Sequence, residues 1–158
     1  MKYDLLKSSA EKIMYSATRL ESFSNKYLLE PYGLSVSSYK ILHIIHEFKV
    51  MSPSDILHLI GGTKSNVTQR INYLIKKNFV KKMSDNSSHG DKRKTIIKMT
   101  EHGLKKYHEI QKSVNSNAIH LDKIFTPTEK KHFDSLFKKL ILIIDKYQNI
   151  CKKQKQLC

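Results

Sequence analysis

The stretch that decides the fold runs from Met51 to Lys82 and reads MSPSDILHLIGGTKSNVTQRINYLIKKNFVKK. Its segment Ser52-Pro-Ser-Asp55 combines a helix N-cap, a proline suited to the first helical position and a capping-box acid. Gly61-Gly62 ends the short helix that follows, and Thr63 can cap the next helix at once. Two short helices joined by a glycine-containing turn predict a helix-turn-helix.

The second helix of this motif has one apolar face and one polar face. Its apolar residues are spaced by 3.6 residues per turn, which predicts a buried stripe of Val67, Ile71, Leu74 and Ile75. The start of such a helix meets base edges when it lies in the major groove of DNA. The residues that we predict to contact DNA are Thr63, Lys64, Ser65, Asn66, Thr68, Gln69 and Arg70.

Each of these residue types suits a particular contact with duplex DNA. The amides of Asn66 and Gln69 suit adenine, and the guanidinium of Arg70 suits guanine or a phosphate. The hydroxyl groups of Ser65 and Thr68 suit a phosphate or a thymine methyl group. Lys64 and the free N–H groups at the helix start favour phosphate.

Two candidate strands, 79–83 and 95–99, follow the motif, and the polar segment 84–94 between them predicts a hairpin. A helix-turn-helix followed by a basic hairpin is a winged helix. Arg93 suits the negative potential of a minor groove, and Lys92 and Lys94 suit the flanking backbone. Asp91 is expected to brace this wing without contacting DNA.

Long helices are predicted on both sides of the winged helix. The first covers about Leu5 to Leu29, and the last begins at the capping box Thr126-Pro-Thr-Glu129. A further helix begins at Ser35, and another at Thr100. Since one small core cannot cover the apolar faces of both terminal helices, we expect them to form a homodimer with two-fold symmetry.

The composition narrows the class of partner. The chain has 158 residues and a formal net charge of +15, and residues 62–100 contribute +8 through ten basic and two acidic residues. Such charge favours a polyanion, and its position on a helix and a hairpin favours DNA over an anionic membrane. An architectural protein that binds DNA without sequence preference stays open as the alternative. The sequence shows no catalytic motif, secretory signal or membrane-spanning stretch, which predicts a cytoplasmic protein that is not an enzyme.

The stretch from Met51 to Lys82 resembles the helix-turn-helix of the MarR family of bacterial transcriptional regulators. Asp91-Lys-Arg93, followed by Ile97-Lys-Met-Thr-Glu-His-Gly103, is similar to the wing signature of that family. The wing loop is a few residues longer and richer in serine than the family pattern, and Asn78 stands where the family often has glycine. The resemblance implies a mainly α fold with a small β-hairpin wing, and a homodimer that binds a pseudo-palindromic duplex as a ligand-responsive repressor.

On this resemblance we expect one domain over residues 1–158. Its winged helix would occupy residues 35–100, and residues 1–30 and 101–150 would supply the dimerisation helices. No cofactor and no metal are predicted. A zinc site formed by His43, His46 and His108 is the weaker interpretation of those histidines, and redox sensing is the weaker interpretation of Cys151 and Cys158. An effector cleft lined by aromatic residues is an open alternative to an ordinary core for Tyr15, Phe23, Tyr27, Tyr32 and Tyr39.

Overall fold

A computed structural model of the chain describes residues 7–85 and 94–155, without the side chains of residues 85, 94, 118–122 and 148–155. The chain divides into two compact units, Met1–Val114 and Asn115–Cys158. The first contains the predicted helix-turn-helix and the strands, and the second contains the end of one long helix and the whole of another. No helix in the described part of the chain is long and apolar enough to cross a membrane.

The first helix, α1 (Ser9–Phe23), begins at a capping box in which Glu11 N–H donates to Ser8 Oγ over 3.1 Å. The same box lowers the pKa of the Glu11 carboxyl, which accepts from the N–H groups of Ser8 and Lys7. The predicted start at Leu5 lies outside the described residues, and the helix begins only after the Ser8 cap. The chain then continues as a π-helical segment, Ser24–Leu29, and a 3-10 turn, Glu30–Tyr32.

The helical part of the winged helix consists of three helices, of which the last two form the helix-turn-helix, as the caps in the sequence predict. After the left-handed Gly33, Ser35 caps α2 (Val36–Phe48) by accepting from Ser38 N–H. The next two helices are α3 (Pro53–Ile60), with the predicted capping box of Ser52 and Asp55, and α4 (Lys64–Lys76). The cap and helix predictions in this part of the chain are confirmed.

The wing is part of a three-stranded antiparallel sheet and is larger than the predicted hairpin. The strands β1 (Val50–Met51), β2 (Val80–Asp85) and β3 (Lys94–Met99) stand in the order β1-β3-β2. The strand β1 was not predicted, because two residues show no periodicity and exist as a strand only by pairing with Ile97 and Lys98. The pairs Ser84–Thr95 and Asp85–Lys94 also extend the hairpin beyond the predicted strand ends.

The first turn of the helix α5 (Glu101–Asp122) packs against the chain just after α4. Thr100 Oγ1 accepts from Gly103 N–H over 2.8 Å and donates to the carbonyl of Asn78 over 2.6 Å. Thr100 N–H donates to the carbonyl of Phe79 over 3.0 Å. Asn78 has φ of 58°, so the position where the resembled family often has glycine does require a left-handed backbone, which asparagine tolerates.

The core of the first unit packs α2, α3 and α4 against the sheet and the beginning of α5. Its fully buried side chains include Ile41, Leu42, Ile45, Leu74 and Tyr107. Because Tyr107 is buried, the pKa of its phenol is raised to about 12. Its hydroxyl lies 2.7 Å from Nδ1 of His43, so this polar group has a partner inside the core.

The second unit contains α6 (Pro127–Lys155), which begins at the predicted cap. Glu129 N–H donates to Thr126 Oγ1, and Thr126 N–H donates to the Glu129 carboxylate over 2.8 Å, which lowers the pKa of that carboxyl. Large apolar side chains stay exposed along about four turns of α6. They are Phe133, Leu136, Phe137, Ile141, Leu142, Ile143, Ile144 and Tyr147.

Candidate nucleic-acid interface

The turn between α3 and α4 is formed by two residues that both need glycine. Gly61 has φ of 71° and Gly62 has φ of 91°, and L side chains rarely adopt either conformation. Gly61 N–H donates to the carbonyl of Leu57 over 2.9 Å and closes α3. Thr63 Oγ1 then accepts from Asn66 N–H over 3.3 Å and opens α4. The two helices are therefore joined by a tight turn of three residues, Gly61 to Thr63.

The apolar stripe of α4 is buried as predicted. Val67, Ile71 and Leu74 belong to the core, and Ile75 packs against it in a half-buried position. This stripe fixes one side of α4 against the rest of the unit. The opposite side is consequently the one that a ligand can reach.

The polar residues predicted to contact DNA divide into two groups. Six are exposed: Thr63, Lys64, Ser65, Asn66, Thr68 and Gln69. Arg70 is half-buried and borders a cavity of about 370 Å³ between α4 and the beginning of α2, together with Ser35 and Ser38. Its guanidinium therefore lies at the flank of the exposed face, away from the centre of that face.

Two further residues share the centre of the exposed face with Ser65 and Gln69. Each residue of a helix is rotated by about 100° from the one before, so Asn72 and Lys76 follow Gln69 on the same side of α4. Both side chains are exposed. We did not predict them, although their spacing of three and seven residues from Gln69 is visible in the sequence. We call Ser65, Gln69, Asn72 and Lys76 the reading face.

The electrostatic character of this region is positive. The helix α4 carries Lys64, Arg70 and Lys76 and has no acidic residue. In the sheet, Lys81 and Lys98 are both exposed and stand directly opposite each other on β2 and β3. Like charges at paired positions repel each other, so an anion nearby would lower the energy of this pair.

The tip of the wing cannot be compared with its prediction. Asp91, Lys92 and Arg93 lie outside the described residues, and for Lys94 only the backbone is described, at the start of β3. The contacts predicted for these side chains stay predictions.

The histidines considered for a zinc site surround the buried Tyr107. His43 bonds to its hydroxyl, and the ring of His46 stacks on its ring with centroids 4.4 Å apart. The rings of His46 and His108 meet edge to face at 5.3 Å. Within the described ranges, no group of three or more histidine, cysteine, aspartate or glutamate side chains is placed to hold a metal ion. The side chains of Cys151 and Cys158 lie outside the described part.

The aromatic residues considered for an effector cleft are found in different surroundings. Phe23 and Tyr27 form an exposed ring pair with centroids 5.1 Å apart. Tyr39 stacks on Tyr107 at 6.0 Å, and burial raises the pKa of its phenol. Tyr32, the last residue of the 3-10 turn, packs against the core.

These helices and strands define a winged helix-turn-helix protein. The solved structures that resemble the chain include wild-type MarR from E. coli in its apo form, with a TM-score of 0.71, 20% identity and coverage of 85% of this chain and 98% of that one. A MarR/EmrR family transcriptional regulator from Acinetobacter sp. ADP1 has a TM-score of 0.75 at 22% identity, over 87% of this chain and 95% of that one. A mutant of E. coli MarR complexed with operator DNA has a TM-score of 0.72 at 20% identity, over 83% and 91%.

The sequence itself points to the same family. Residues 34–95 match the sequence model of the MarR family, whereas none of the curated proteins matches the chain. This segment contains α2, α3, α4 and β2, so the part of the chain that is similar to the MarR family includes the whole helix-turn-helix. The predicted fold class is thereby confirmed. Members of this family are transcriptional regulators and not enzymes, in agreement with the prediction from the sequence.

Proposed function

We propose that the chain is a sequence-specific DNA-binding transcriptional regulator that acts in the cytoplasm as a homodimer. The observation that carries the proposal is the reading face of α4, which is polar, exposed and opposite a buried apolar stripe. It belongs to a segment that matches the MarR family, and the mutant MarR of similar fold is complexed with operator DNA. Double-stranded DNA is therefore the partner that fits this surface.

The beginning of α4 would enter the major groove. There Gln69 and Asn66 would form hydrogen bonds with base edges, and Ser65 and Thr68 would contact a phosphate or a thymine methyl group. Thr63 and Lys64 lie at the helix start, where free N–H groups and the helix dipole favour a phosphate. Arg70, at the flank, would reach the backbone or a guanine.

A homodimer would place two such helices on one duplex. Its support is the exposed apolar surface of the terminal helices, which includes Met14 and Leu20 on α1 and Leu136 and Ile143 on α6. A two-fold axis would set the recognition helices about 34 Å apart, one turn of DNA, on a pseudo-palindromic site.

We also propose that the regulator is a repressor that releases DNA when a small-molecule effector binds. The family resemblance supports this direction of regulation, and an open cleft of about 690 Å³ beside the π-helical segment offers space for a ligand. Its lining includes Glu21, Asn25, Lys26 and Glu30. A reporter gene behind the bound promoter should become active when the chain is removed; a fall in expression would instead identify an activator.

The experiment that tests the proposed function is selection of bound fragments from the genome of the source organism. We expect a defined palindromic site that is bound at least about 10³-fold more tightly than random DNA. An architectural protein would bind all fragments with similar affinity, and that result would overturn the proposal.

One substitution tests the reading face directly. Gln69→Ala should cost about 1–3 kcal/mol of discrimination at one base pair of the selected site, because it removes a bidentate contact to a base edge. Binding to the site and to variants changed at each base pair would be measured by fluorescence anisotropy. Asn72→Ala, further from the start of α4, is the matched variant and should cost less. Unchanged discrimination in Gln69→Ala would contradict the assignment of this face.

A second substitution tests the predicted wing contact. Arg93→Ala should weaken binding to most sequences and lower the slope of log K against log salt by about one, since one phosphate-neutralising charge is lost. Lys123→Ala removes an exposed charge between α5 and α6 and serves as the control. Equal slopes for both variants would place Arg93 away from the DNA.

A further inference from the structure

Tyr73 connects the recognition helix to the corner of the chain that precedes α2. Its phenol donates a hydrogen bond to the backbone carbonyl of Gly33, forty residues earlier in the sequence. Lys77 lies beside the same contact, with Nζ 5.9 Å from the centroid of the Tyr73 ring. The bond lies at the surface and outside the apolar core, because Tyr73 projects from α4 away from the buried stripe.

The corner that accepts this bond is itself held in place from the other side. Gly33 N–H donates to the carbonyl of Glu30 over 2.8 Å, and Leu34 N–H donates to the carbonyl of Leu29 over 3.0 Å. The side chains of Leu29 and Leu34 are both buried in the core. In addition, Asn25 Oδ1 accepts from Val36 N–H over 2.7 Å at the start of α2. The Gly33 carbonyl is therefore a fixed point in the unit.

A hydrogen bond from α4 to this fixed carbonyl limits rotation of α4 about its own axis, which apolar packing limits poorly. Apolar contacts are non-directional, so the stripe of Val67, Ile71 and Leu74 sets how deeply α4 sits but resists rotation about its axis only weakly. Hydrogen bonds depend steeply on angle and distance. The Tyr73 bond lies away from the buried stripe and far from the helix axis. A small rotation of α4 therefore displaces the phenol more than it displaces the backbone.

The residues that such a rotation would move belong to the reading face. Gln69 precedes Tyr73 by four residues, which places it one turn earlier on the same side of α4. Gln69, Arg70, Tyr73 and Gly33 also line the same cavity of about 370 Å³. A rotation of α4 would therefore displace Gln69 together with Tyr73.

We propose that Tyr73 is a positioning residue for base recognition, which sets the rotation of α4 and thereby aims Gln69. This inference rests on the proposed function, since it assumes that α4 reads DNA. It assigns to Tyr73 no contact with DNA of its own. The bond with Gly33 acts in the free protein as well, so α4 meets the groove already oriented.

The variant that isolates this role is Tyr73→Phe, which removes one oxygen atom and keeps the ring. We expect its preference for the selected site over random DNA to fall roughly three- to tenfold, the range that one hydrogen bond contributes. Its affinity for random DNA should not change. Tyr27→Phe is the matched control, because in the described part of the chain the Tyr27 phenol has no hydrogen bond and the ring lies on the surface.

A double-mutant cycle distinguishes an effect of Tyr73 on the orientation of Gln69 from a general effect on the structure. If Tyr73 acts through Gln69, the variant with Tyr73→Phe and Gln69→Ala should discriminate no worse than Gln69→Ala alone. Additive losses would overturn the proposal, and so would an equal loss of affinity for specific and random DNA, which would indicate a backbone contact. A wild-type protein without any preferred site would contradict the proposed function itself. A preference that survives Tyr73→Phe unchanged would contradict this inference alone.

Discussion

Replacing Gly103 with alanine is expected to lower the free energy of unfolding by more than about 3 kcal/mol. A Cβ at this position would lie 1.8 Å from the carbonyl oxygen of Phe79 and 2.6 Å from its carbonyl carbon. That carbonyl cannot move away freely, because it accepts the N–H of Thr100 over 3.0 Å. The first turn of α5 would have to move away from the backbone of Phe79. Urea unfolding followed by circular dichroism measures the loss.

The control for this prediction is Gly61→Ala. Gly61 has a left-handed φ of 71°, but no atom lies within 4 Å of the Cβ that alanine would add. The substitution should therefore cost only backbone strain, about 1–3 kcal/mol, because φ of 71° with ψ of −169° is a conformation that is essentially restricted to glycine. If both variants lost the same stability, the close approach of Gly103 to Phe79 would be wrong.

The other large effect is expected from a charge on the apolar face of α6. In the proposed homodimer Ile144→Asp would bury an unpaired carboxylate, so the variant should sediment as a single chain of 18.4 kDa while the wild type sediments at twice that mass. DNA affinity should fall by roughly 10²-fold or more, because each half-site would be bound independently. Analytical ultracentrifugation and anisotropy measure the two effects.

The helix α6 offers its own control. Ile144 is 45% exposed and Leu142 is 68% exposed, and Leu142 lies on nearly the opposite side of the helix because the two are separated by about 200°. Leu142→Asp should therefore remain dimeric and bind DNA normally. A monomeric wild type, or an Ile144→Asp variant that stays dimeric, would contradict this assignment of the dimer surface.

The parts of the fold that the sequence predicted correctly depend on local signals. Ser35, Ser52, Thr63 and Thr126 each form the predicted cap, because a short side chain and a backbone N–H three residues later are enough to define it. The buried stripe of α4 likewise needs only the period of one helix. The site residues on α4 and the wing were predicted from their chemistry and position, and the resemblance to a family added the expectation of a ligand-responsive repressor.

The features that were not predicted depend on partners distant in the sequence. The strand β1 exists because β3 pairs with it, and the role of Gly103 depends on the backbone of Phe79. The flank position of Arg70 depends on the beginning of α2, and the orientation of α4 depends on Gly33. Asn72 and Lys76, by contrast, could have been predicted from the sequence, because the helical period alone places them beside Gln69.

The strand order β1-β3-β2 leaves β2 as an outer strand of the sheet. An outer strand carries unpaired backbone groups that can recruit the strand of another molecule and begin aggregation. Lys81 and Lys82 stand on β2, exposed and next to each other, and two such strands would bring four positive charges together. The positive charge of this region thus also keeps the wings of separate molecules from joining edge to edge.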